Sequence, residues 1–152
     1  MNSYLWLKAL HVLSMGVWLG AALTLLGTAG IMARTTERGR LAGLAIACDF
    51  AGTRLIAPAG GLTLLFGLAT MMVGHVGMPF WVLFGLVATL LVLSVGGAVL
   101  GRGFRRLSTL LDAPSGNETE VAALLARIRR IGWFAVALLV ATAVIMVLKP
   151  VL

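Results

Sequence analysis

The chain holds two histidines, His11 and His75. Each has a methionine four residues away, Met15 after His11 and Met71 before His75. A spacing of four puts both members of a pair on one face of a helix, one turn apart. Imidazole nitrogen and thioether sulfur are ligands for transition metals, so this set suits a metal or metallocofactor better than acid–base or nucleophilic chemistry. The carboxylates Glu37, Asp49, Asp112, Glu118 and Glu120 stand well away from both histidines in sequence. There is no serine, histidine and acid set, and no glycine-rich phosphate loop between a strand and a helix.

Two uses of these residues compete. Two imidazoles from facing helices can fill both axial positions of a b-type haem held between the helices. Lys8, three residues before His11 on the same side of the helix and nearer water, then suits an acidic propionate. In the other use, His11, Met15, Met71 and His75 form a two-His, two-Met set of the kind that selects Cu(I). The lone Cys48 excludes an internal disulfide and reads as a small core residue.

The elements that must position these groups follow from composition. Of 152 residues, 61% are hydrophobic and 11% charged, against roughly half and roughly a quarter in soluble domains. The chain therefore reads as one integral-membrane domain, residues 1–152, with spans at about 5–32, 54–74, 80–101 and 129–149. Each is long enough to cross a bilayer core, which takes about 20 apolar residues. Backbone groups must be satisfied within each span, so the expected fold is all-α, an up-down bundle of four transmembrane helices. Pro58 is expected in the first turns of the second span, where a missing N–H costs least. The first apolar stretch exceeds the roughly 7–15 residues of a signal-peptide core.

Arginine placement predicts orientation. Arg34, Arg38, Arg40 and Arg54 surround the first connection, and Arg102, Arg105, Arg106, Arg127, Arg129 and Arg130 the third. The middle connection VGHVGMP has neither Lys or Arg, and Lys8 and Lys149 stand near the two ends of the chain. The positive-inside rule puts both termini and the middle connection outside a bacterial inner membrane. The net charge of +7 is then a topology signal rather than a nucleic-acid footprint. From Arg34 back to His11 is 23 residues and from Arg54 to His75 is 21, about 34 and 31 Å of helix. That count expects the histidines at matching depth near the outer boundary.

Several local expectations follow. Asn117 and Glu120 have the spacing of a capping pair, and Val121, Leu124, Leu125 and Ile128 recur at helical spacing as an inward extension of the fourth helix. Asp49 and Arg54 are placed to pair at the mouth of the second span. Gly16-x-x-x-Gly20 and Gly97-x-x-x-Gly101 permit close helix approach, within the bundle or in a homodimer. Trp6, Trp18 and Trp81 either flank an outer pocket or belong to an interfacial belt.

The run Leu7-Lys8-Ala9-Leu10-His11, with Trp18 beyond it, resembles the first helix of the small membrane-bound bacterial protoporphyrinogen oxidases, which bind b-type haem. The segment TRLIAPAGGLTLLFG, with an arginine followed by Pro58, Thr63 and Gly67, is similar to the second helix of that family. It is as close to an uncharacterised integral-membrane family of about this length, and more distantly resembles the membrane domain of copper-resistance protein D. The resemblance covers the first two spans and implies that His11 is a haem ligand. Where the oxidases follow a tryptophan with His and Lys, this chain has Trp81-Val82-Leu83-Phe84-Gly85, so porphyrinogen oxidation is not implied. The expectation is a haem b protein that transfers electrons or oxidises a quinol or other small molecule near the outer face. The alternatives are a copper-binding or copper-transfer protein, and a scaffold without cofactor. The bilayer is the expected surrounding, with no nucleic acid.

Overall fold

The computed structural model describes residues 3–113 and 117–149. Four helices account for nearly all of them: α1 (Ser3–Met32), α2 (Arg38–Val73), α3 (Phe80–Asp112) and α4 (Glu118–Leu148). Each is long and apolar enough to cross a membrane, and the described residues contain no strand. The chain is an all-α four-helix membrane bundle in which α1 packs along α2 and α4, and α3 packs against α4 and the first half of α2.

Three helices outrun their expected spans. α2 begins at Arg38 rather than near residue 54, α3 continues to Asp112, and α4 starts at Glu118. The added turns are amphipathic, and their apolar faces close on one another around Leu41, Ala45, Phe104, Leu107, Val121 and Leu125. Cys48 is buried in the same cluster. The arginine-rich end is therefore a packed cap that continues the bundle beyond its apolar slab. Asn117 does cap α4, its Oδ1 accepting the Thr119 N–H at 2.9 Å. Glu120 instead accepts from Arg106 Nη2 at 2.6 Å, tying the start of α4 to the end of α3. Asp49 lies 3.5 Å from Arg105 Nε, so its ionic partner is Arg105 on α3 and not Arg54 on its own helix.

Pro58 stands, as expected, in the first turn of the α-helical segment Ala57–Val73, but the helix does not start there, because α2 continues back through a π-helical turn to Arg38. A proline inside a helix lacks the donor to residue i−4 and its ring crowds that carbonyl. Here the crowded residue is Arg54, and α2 answers with a π-helical turn at Gly52–Ile56 directly before the α-helical segment that carries Pro58. α3 has a second π-helical turn at Gly96–Gly101.

The seam between α1 and α2 is built from rings and glycines at heptad spacing. Tyr4 packs on Gly74, His11 on Gly67 and Trp18 on Gly60, so both helices advance seven residues per contact. A Cβ added to these glycines would lie 2.6 Å from the Tyr4 ring, 2.9 Å from the His11 ring and 2.9 Å from the Trp18 ring. In lipid no hydrophobic force drives helices together, so such close van der Waals contact at small residues is what binds them. Neither expected small-residue motif packs against another helix of this chain. A Cβ at Gly16, Gly20 or Gly97 would meet nothing within 4 Å, and one at Gly101 only reaches Arg105 and a backbone oxygen of its own helix.

Candidate functional site around His11

The same contacts set depth. Opposite His11 stands Gly67, while Gly74, beside His75 in sequence, stands opposite Tyr4. His75 is therefore about 12 Å further along the bundle than His11, at 1.5 Å per residue. It is exposed, beyond the end of α2, with φ 48°. The expected matching depth fails because Arg34 and Arg54 are unequal anchors. By the seven-residue register, Arg54 lies about 15 Å deeper into the bundle than Arg34, inside a helix that began at Arg38.

His11 is partly buried in the α1–α2 seam, and its Nδ1 is 2.8 Å from the Thr63 carbonyl oxygen. A carbonyl only accepts, so Nδ1 carries the proton of that bond and Nε2 of the neutral ring keeps its lone pair. Anchoring of one ring nitrogen by a backbone carbonyl is the arrangement that orients histidines for metal ligation through the other. Gly67 leaves room for the ring to lie against α2, and the Thr63 hydroxyl is kept out of the way by its own bond to Ala59 O at 2.8 Å.

Fully buried residues begin just below His11. Among the described residues, the buried polar ones are Ser14, Thr63, Thr89 and Thr142, one from each helix. The packing of Gly67 on His11, Gly132 on Leu26 and Gly85 on Met146 puts all four within about 3 Å of one depth. Three of these hydroxyls bond a carbonyl four residues back on their own helix: Ser14 to Leu10, Thr63 to Ala59, Thr142 to Leu138. Trp18, 1% exposed, closes the core beneath this layer. Towards the other end, no residue is buried among residues 3–13, 64–75, 80–84 or 143–149. Helix pairs still touch there, Tyr4 on Gly74 and Met146 on Gly85, but none of these side chains is fully enclosed.

The remaining expected residues scatter around this centre. Lys8 is exposed on α1, one turn from His11 towards the His75 end. Met15 packs in the cluster around Trp18, on the closed side of His11. Met71 and His75 lie progressively further from Trp18. The four candidate copper ligands thus stretch over about 18 Å of helix, too far for one ion. Trp18 is a core residue two turns deeper than His11, not the wall of an outer pocket. Trp81 lies at the His75 end under Lys149, whose Nζ is 5.5 Å from its ring centroid, and Trp6 is exposed. No group of three or more His, Cys, Asp or Glu comes together among the described residues.

For a haem, the donor set on one chain is a single oriented imidazole. Metal–nitrogen bonds are about 2 Å long, so two imidazoles on one iron stand about 4 Å apart across it, and His11 and His75 do not. One axial ligand fits the residues present. Sequence reading missed Thr63 as the group that orients His11 and Gly67 as its seat. The signal was present in the shared seven-residue spacing of Tyr4, His11 and Trp18 and of Gly60, Gly67 and Gly74.

Comparison with protein-family models, with curated proteins and with solved structures finds no match.

Proposed function

We propose that the chain is a b-type haem protein of a bacterial inner membrane with a redox role at the outer face, in which His11 is the one axial ligand this chain supplies. The carrying observation is the Nδ1 bond to the Thr63 carbonyl, which leaves Nε2 of the neutral ring as the nitrogen available to a ligand. Haem bound there supplies a one-electron couple and a coordination position for a small molecule. Thr63 holds the ring orientation, Gly67 seats it, Trp18 and the hydroxyl layer close the site from below, and Lys8 is a cation of α1 available to a propionate. A haem held by His11 alone would remain accessible to a small molecule, and this favours oxidation or binding of a small species or quinol over pure electron transfer. The orientation proposed is the arginine-rich cap in the cytoplasm.

The test is the visible spectrum of protein made with ample haem supply. The expected result is a Soret band that shifts on reduction and on carbon monoxide addition, disappears in His11→Gly, returns with added imidazole, and persists in His75→Ala. Colourless wild-type protein, or a Soret band indifferent to His11→Gly, overturns the reading. Loss of the band in His75→Ala would restore ligation by both histidines, from two chains.

A further inference from the structure

The two π-helical turns, Gly52–Ile56 in α2 and Gly96–Gly101 in α3, pack against each other. Single π-turns inside α-helices occur mostly where a helix has a function beyond packing. Beside these two lies a cavity of about 180 Å³ on the bundle axis, between Trp18 at one end and Phe104 at the other. Glycine opens it: a Cβ at Gly52, Gly96 or Gly97 would meet nothing within 4 Å, so close helix contact does not require glycine there. Its inner wall is apolar, with Leu25, Val92, Leu93 and Leu139, and offers no polar side chain to a ring or sugar.

The opening is lateral. Thr53, Ala57 and Gly97 line the cavity and are also exposed, so a window lies between α2 and α3 on a surface that meets lipid tails. The rim is charged. Arg105 lines the cavity about 12 Å along α3 from Gly97, at the arginine-rich end. Its Nε donates to Gly101 O at 3.3 Å and lies 3.5 Å from Asp49 Oδ1. Its terminal nitrogens have no hydrogen-bond partner among the described residues, and Asp49 Oδ1 is buried without one. The guanidinium thus faces the rim with donors to spare.

We infer that this window takes one alkyl chain of an anionic amphiphile from the bilayer, with the acidic head on Arg105 and the chain end against Trp18. At roughly 30 Å³ per water-sized group, the cavity holds roughly the last half-dozen carbons of such a chain. The head is a carboxylate or a phosphodiester, from a free fatty acid or an anionic phospholipid. The site is independent of any cofactor at His11.

Trp18 is the reporter. The full chain carrying Trp6→Phe, Trp81→Phe and Trp133→Phe is titrated in detergent with dodecanoic acid brominated at its terminal carbon, and in nanodiscs with chain-brominated phosphatidylglycerol or phosphatidylcholine. The expected result is saturable quenching of Trp18 by the acid, by phosphatidylglycerol, or by both, and not by phosphatidylcholine. The acid alone identifies a free fatty acid, and phosphatidylglycerol identifies a lipid chain. Gly97→Leu abolishes the saturable component, Gly97→Ala reduces it, and Arg105→Gln raises the half-saturation point roughly tenfold. Quenching that is linear in quencher, equal for the two phospholipids, or unchanged in Gly97→Leu overturns the inference. So does Gly97→Leu raising the melting temperature when the parent shows no saturable quenching, since the void is then a packing defect only.

Discussion

At His11 one hydrogen bond decides what the side chain can do. With Nδ1 committed to the Thr63 carbonyl, only Nε2 remains as a ligand, and the ring cannot turn without leaving Gly67. The glycine seat is therefore testable on its own. Gly67→Ala places a Cβ 2.9 Å from His11 Cε1, and the expected cost is about 1–3 kcal/mol of stability from overpacking, read as a lower melting temperature in detergent. In haem-loaded protein the same substitution shifts the Soret band. Gly60→Ala, pressed against Trp18 and Leu93, costs a similar amount. Gly16→Ala is the control: its Cβ meets open space, and stability is unchanged or slightly raised because alanine is the better helix former. The glycines that matter recur at seven-residue intervals, not in the four-residue motifs. Spacing alone does not say which glycines have a ring opposite them.

Among the elements, α2 departs furthest from its expected span. Pro58 sits where a helix start was expected, yet the cap around Leu41, Ala45 and Cys48 supplies enough packing to keep the helix continuous on both sides of it. The cost of the proline is taken up by the π-turn at Gly52–Ile56. The cap itself rests on apolar packing more than on its charges. Asn117→Ala removes the Oδ1 acceptor for Thr119 and should lower stability by about 1 kcal/mol, while Asn117→Asp preserves it. Arg106→Ala breaks a pair whose side chains are 68% and 40% exposed, and the expected loss is under about 1 kcal/mol and shrinks with added salt. Thermal unfolding of the full chain measures all three. Leu107→Ala, at 0% exposure, should exceed them at about 2–5 kcal/mol.

For the whole molecule, the two ends are built differently: a closed, arginine-bearing cap and an end without a buried core. The orientation predicted from the arginines is checked with single cysteines in a Cys48→Ala background. Gly77→Cys, exposed between α2 and α3, should label with a membrane-impermeant maleimide in intact cells. Thr109→Cys, exposed on the cap, should label only after lysis. Reversed labelling would put His11 near the cytoplasm and with it any substrate. Composition and apolar run length alone determined the fold class, four helices long enough to cross a membrane, because the bilayer requires each span to satisfy its own backbone. The Asn117 cap was equally local and equally readable, since a cap depends on neighbours two residues away. Depth was not local. Whether His11 meets His75 depends on the register between α1 and α2, and that register is set by rings seated on glycines of another helix, not by counts from arginines. Tertiary structure alone decided that His11 lies against Gly67 and Thr63, that His75 lies about two turns further out, and that the two π-turns pack together beside a cavity.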